Sequence, residues 1–158
     1  MKSRSMQPEP PQTSDPLGYL LGRAHYSMRR RLNRRMASCG MELTSEQCLI
    51  LVMLGCESQV NQQDLADRMF KDKTGISRLV SGMERKGLIQ RTSTIEDRRN
   101  NFVQLTDFGR STLSTIQKQL SEIRVEAREG IAEKDMETCR RVLQKLVDNL
   151  SACEEQAG

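Results

Sequence analysis

The sequence predicts a mainly α-helical chain with one small β-hairpin, and three observations predict it. Apolar residues recur at spacings of three and four through most of the 158 residues. That pattern changes in only two short runs, Leu88–Arg91 and Phe102–Leu105, which read as strands. Helix-start signals, Thr44, Asn61 and Thr106, stand directly ahead of periodic stretches.

Taken in order, Met1 to about Ser14 carries Pro8, Pro10 and Pro11 and lacks an apolar run, so residues 1–14 read as a disordered tail. Leu17, Leu21, Ala24, Met28, Leu32 and Met36 then mark one side of a long helix that ends near Gly40. Thr44 with Gln47 three residues on forms a capping-box pattern. It opens a short helix through Cys48, Leu49, Leu51, Val52 and Leu54 that ends near Gly55. Asn61 caps a third helix, with Asp64 in its first turn and Leu65, Ala66 and Met69 as its apolar stripe. After a break at residues 70–72, Lys73–Lys86 sets Ile76, Leu79, Val80 and Met83 on one face and Thr74, Ser77, Arg78, Ser81 and Arg85 on the other. Gly87 fits the left-handed position that ends such a helix. The two strands follow, joined by the charged segment 92–101. Thr106 then caps a helix with Leu113, Ile116, Leu120, Ile123 and Ala127 at heptad-like spacing. After a break near residues 130–133, a last helix repeats that spacing with Met136, Cys139, Leu143, Leu146, Leu150 and Cys153. Leucine and isoleucine at this spacing read as a packing seam, here the interface of a homodimer.

Composition narrows the function classes. Aromatic residues are 3% of the chain and Trp is absent, so a base-stacking platform for single strands has nothing to be built from. Residues 23–35 hold six arginines and no acid, and residues 71–101 hold eight basic against four acidic side chains. These two excesses outweigh the whole chain's net +4, so the remainder is acidic. Segregated positive charge suits a polyanion such as duplex DNA, where neutralised phosphates release counterions. The five cysteines are odd in number and form no C-x-x-C pair, which reads as reduced thiols in a cytoplasmic protein, with neither zinc site nor disulfide framework. His25 is the single histidine and cannot build a multi-histidine metal site. No phosphate-binding loop, nucleophile elbow or zinc-protease motif occurs, so no enzyme and no cofactor are expected. The N-terminal segment lacks the apolar stretch of a signal peptide or spanning helix, so no membrane association is expected.

Two short helices with a tight connection, the second presenting small polar and arginine side chains and followed at once by a basic hairpin, read as a winged helix-turn-helix. Thr74, Ser77 and Ser81 are short enough for the helix backbone to approach base edges and phosphates in a major groove, within reach of Lys73, Arg78 and Arg85. The hairpin tip reaches an adjacent minor groove, where negative potential attracts an inserted arginine; Arg98 and Arg99, beside Asn100, are the candidates.

The runs Gly87-Leu88-Ile89-Gln90-Arg91, Asp97-Arg98-Arg99-Asn100 and Val103-Gln104-Leu105-Thr106 with Gly109, together with Leu43-Thr44 and Gln47, resemble the signature of the MarR family of bacterial transcription regulators. The resemblance spans roughly residues 17–153. It implies a homodimer held by the first and last two helices, with residues 15–40 and 106–154 as the helical dimerisation region and 41–105 as the winged DNA-binding lobe. In the family's Asp-x-Arg wing motif, matched by Asp97 and Arg99, the acid supports the wing and the arginine enters the groove, which leaves Arg98 for phosphate. It further implies a repressor on a pseudo-palindromic duplex, released by a small-molecule effector bound near Tyr19, His25 and Tyr26. Two departures stand out: Gly75 in the first turn of the recognition helix, where glycine costs about 1 kcal/mol relative to alanine, and no proline ahead of the wing acid. Two alternatives remain at this point: an oxidant-sensing version that uses a cysteine, and a non-enzymatic dimer whose winged domain holds another protein.

Overall fold

The computed structural model describes residues 16–94 and 97–155; the side chains of residues 93, 94, 97–101, 154 and 155 lie outside the description. The expected tail, residues 1–14, also lies outside the described residues. The described residues form α1 (Leu17–Ser38), α2 (Ser45–Cys56), β1 (Val60–Asn61), α3 (Gln62–Arg68), α4 (Lys73–Arg85), β2 (Ile89–Thr94), β3 (Asp97–Leu105), α5 (Asp107–Ala127) and α6 (Glu133–Glu155). They fall into two compact units, one ending at Ile123 and one beginning at Arg124.

In the first unit α2 is the central element. Beyond its first turn it is almost wholly apolar, and it buries Cys48, Ile50, Leu51 and Leu54 while Leu49 stays exposed. Its start is fixed locally: the Thr44 hydroxyl accepts from the Gln47 amide at 3.2 Å, and the Gln47 side chain accepts from the Thr44 amide at 3.2 Å. Asn61 opens α3 in the same manner by accepting from the Gln63 amide at 2.7 Å, and Thr106 opens α5 by accepting from the Gly109 amide at 2.9 Å. All three caps match the sequence expectation.

The hairpin is longer than expected and has a third strand. β3 pairs antiparallel with both β2 and β1, in the order β1-β3-β2, with Val60 opposite Val103 and Ile89 opposite Leu105. β1 is only two residues long and directly precedes α3, so no alternation exists from which to read it. Its effect is to tie the start of the helix-turn-helix to the root of the hairpin. Gly87, at φ +69°, turns the chain from α4 into β2. The Gly87 amide donates to Glu84 O at 2.9 Å and the Leu88 amide to Met83 O at 3.1 Å.

One packing expectation changes. The α5 stripe, expected to form a seam between protomers, is largely spent within one: Leu113, Ile116 and Ile123 are buried in the first unit's core, with Leu120 partly buried against it. The cause is that α5 lies over the same apolar cluster that α2 fills, and heptad spacing does not distinguish a partner in the same chain from one in another. On α1 only Leu32 and Met36 are buried, whereas Leu17, Leu21 and Met28 of the same stripe are exposed. In the second unit α6 leaves Val142, Val147 and Leu150 exposed, and Cys139 and Cys153 of its stripe are exposed too.

Candidate nucleic-acid interface

α4 is held by its apolar face, since Ile76, Val80 and Met83 are each no more than 1% exposed. That packing turns Lys73, Thr74, Arg78 and Arg85 outward as exposed side chains, with Ser77 and Ser81 half-buried beside them. The sequence-predicted face is thus a single outward surface of one helix. Its N-terminus is capped by Asp72, whose carboxylate accepts from the Gly75 amide at 2.5 Å. At Gly75 a Cβ would stand 3.3 Å from the Asp72 carboxylate oxygen, close against the capping group. Asp72 was legible as the aspartate three residues ahead of that amide, but the sequence reading assigned it only to the break.

The turn between α3 and α4 is tight and irregular. Phe70 has φ +52°, a region that a bulky residue rarely enters, and its side chain is 95% exposed. The Lys71 amide donates to Ala66 O at 3.0 Å, and the Lys71 ammonium pairs with Glu46 of α2 at 3.0 Å.

The root of the hairpin shares the buried cluster with α4 through Ile89, Val103 and Leu105, and one polar side chain among the described residues also bridges the two. Arg91 of β2 donates from Nη2 to the Ser81 hydroxyl at 2.8 Å and pairs through Nη1 with the Glu84 carboxylate at 3.0 Å. Sequence reasoning missed Arg91 in this role because its partners lie seven and ten residues earlier in another element. Farther out, Asp97 begins β3 opposite Thr94. The side chains of Asp97, Arg98, Arg99 and Asn100, named above as wing residues, lie outside the described residues.

The arginine cluster of α1 is partly used within the chain. Arg35 pairs with Glu122 and donates to the Gln119 side chain at 3.1 Å, and Arg29 donates to the Ser45 hydroxyl at 3.0 Å. Arg30 and Arg34 are exposed. Salt bridging and hydrogen bonding thus account for part of the positive charge on this helix.

A cavity of about 660 Å³ lies in the first unit among α1, α2, the α3–α4 turn and α5. Met28, Leu32, Leu49, Val52, Leu120 and Ile123 give it apolar walls; of its polar lining, Arg68 pairs with Glu57, Lys71 with Glu46, and Arg29 donates to Ser45, while His25 also borders it. The three residues named as effector contacts are separated by the fold. His25 lines this cavity; Tyr19 and Tyr26 line a different groove along α1, where the Arg23 guanidinium lies 5.6 Å from the Tyr19 ring centre. Cys48 also lines the cavity, and burial pushes its thiol up to about 11, so it stays protonated near neutrality. Among the described residues no three His, Cys, Asp or Glu side chains cluster as metal ligands, and no helix is long and apolar enough to cross a membrane.

Comparison with known proteins places this geometry. A model of the MarR family matches residues 40–100, which run from the turn after α1 into β3. The HTH-type transcriptional regulator SarZ of Staphylococcus saprophyticus subsp. saprophyticus is 34% identical over 98 residues, 60% of this chain and 67% of SarZ. The crystal structure of CouR from Rhodococcus jostii RHA1 bound to p-coumaroyl-CoA is 28% identical and superposes with a TM-score of 0.74 over 85% of this chain and 94% of that one. The transcriptional repressor CouR bound to a 23-mer DNA duplex is 25% identical, with a TM-score of 0.75 over 83% and 92% of the two chains.

Proposed function

The chain belongs to the MarR family of transcription regulators, and from that premise we propose that it is a homodimeric cytoplasmic repressor that binds a pseudo-palindromic duplex and is released by a small-molecule effector. It works by binding rather than by catalysis. The observation that carries the reading is the α4 face: small and basic side chains turned outward together by a buried apolar face, beside a hairpin that Arg91 joins to the same helix. Thr74, Ser77 and Ser81 let the backbone approach the major groove, Lys73, Arg78 and Arg85 supply charge to bases and phosphates, and the wing residues Asp97, Arg98, Arg99 and Asn100 serve the minor groove. CouR supports this reading as a similar fold on duplex DNA.

Residues 41–105 act as the DNA-binding lobe, and residues 15–40 and 106–154 supply dimer contacts. Exposed Leu17, Leu20 and Leu21 on α1 and Val147 and Leu150 on α6 offer apolar area for a second copy. Dimerisation places two α4 helices against two half-sites, which is why the operator repeats with inverted symmetry. The effector occupies the 660 Å³ cavity, whose apolar walls suit an organic ligand with an apolar body. His25 lines this cavity, and Tyr19 and Tyr26, the other two effector candidates, line a groove along α1. The raised Cys48 thiol gives no support to the oxidant-sensing alternative at that residue, because the thiolate is the reactive form.

Selection from a random duplex pool tests the proposal. Enrichment of an inverted repeat with half-sites about one helical turn apart is expected. A pool that stays random through successive rounds would refute sequence-specific binding.

A further inference from the structure

We propose that Arg91 is a positioning residue for DNA recognition, locking the β-hairpin onto the recognition helix so that both reach the duplex as one body. The inference rests on the DNA-binding reading and adds to it a positioning role for Arg91 in how the hairpin meets the duplex. The guanidinium of Arg91 engages two acceptors on α4 at once, the Ser81 hydroxyl at 2.8 Å and the Glu84 carboxylate at 3.0 Å. Ser81 and Glu84 stand three residues apart and therefore neighbour each other on the helix surface. A planar fork that satisfies two acceptors fixes direction as well as distance, which a lysine ammonium does not do. Arg91 and Glu84 are partly exposed, with side-chain exposures of 32% and 38%, so the pair adds little to stability and its effect is geometric. The bond also commits Ser81. Its oxygen accepts from Arg91, which leaves its own O–H to donate outward, and phosphate oxygens only accept.

The opposing test comes from Glu84. If charge alone governed binding, Glu84→Ala would remove a negative group beside the duplex and tighten binding. If Glu84 holds Arg91 in place, the same change loosens it. Binding and footprints are measured on the duplex that the wild-type protein selects, with Arg91→Ala, Arg91→Lys and Glu84→Ala compared at equal thermal midpoints. Expected are a loss of about tenfold in affinity for Arg91→Ala, a weakening in the same direction for Glu84→Ala, and partial recovery in Arg91→Lys. In both alanine variants hydroxyl-radical protection of the flanking minor groove fades, while guanine N7 protection in the central major groove persists. Tighter binding by Glu84→Ala, or equal loss of both protections in Arg91→Ala, overturns the proposal. Failure of the wild type to protect any duplex would instead remove the DNA-binding reading, and this inference with it.

Discussion

At Gly109 the space for one methyl group decides whether α5 can start where it does. A Cβ there would fall 1.9 Å from the Leu88 carbonyl oxygen, a backbone atom that cannot move aside without shifting the strand. Gly109→Ala is expected to destabilise the chain by about 1–3 kcal/mol, seen as a fall in the denaturant midpoint; an unchanged midpoint would mean that this approach is looser. Cys48 gives a second prediction. Its folded pKa, near 11, lies above the ordinary thiol value, so the neutral form is favoured by folding. The stabilisation is present below about pH 8.5 and is lost as pH rises toward 11, because the unfolded chain releases this proton first. Iodoacetamide at neutral pH should therefore modify the exposed Cys39 and Cys56 well before Cys48, as read by peptide mass mapping. What was legible at this scale is what acts locally. Thr44, Asn61 and Thr106 cap amides two or three residues away, so spacing alone reveals them. Arg91 and Glu84 meet only once β2 folds back on α4, and no spacing rule encodes that.

At the scale of elements, α4 depends on Asp72. Removal of this cap by Asp72→Ala is expected to cost about 1 kcal/mol, read in thermal unfolding, and to weaken duplex binding because the first turn carries Lys73 and Thr74. Unchanged binding after the same loss of stability would separate the cap from recognition. Helix identities followed from the 3.6-residue period, whose signal accumulates over more than twenty residues in α1, α5 and α6. Burial did not follow from it. The α5 stripe packs within its own unit and the outer part of the α1 stripe stays exposed, since an apolar period says that a face is to be covered and not by what. β1 escaped notice because two residues carry no alternation, and its pairing with β3 is decided by tertiary contact.

For the whole molecule, exposed Val147 and Leu150 on α6 belong to the surface proposed for the second copy. Leu150→Glu is expected to shift the protein from twice the chain mass toward the monomer in light scattering at micromolar concentration, and to weaken operator binding with it. A wild type that is monomeric at concentrations where it binds its operator tightly would contradict the dimer. On the proposed function, the α4 face and the wing bind duplex DNA as a polyanion and read its sequence. The most direct test is fluorescence anisotropy of the reduced protein on its selected duplex and on a scrambled one, across a salt series, repeated with Arg78→Ala and Arg99→Ala. The account predicts preference for the selected duplex, affinity falling steeply with salt, and a loss of about 1–3 kcal/mol for a variant that removes a base contact. Equal, weak binding to both duplexes, unchanged by either substitution, would contradict it.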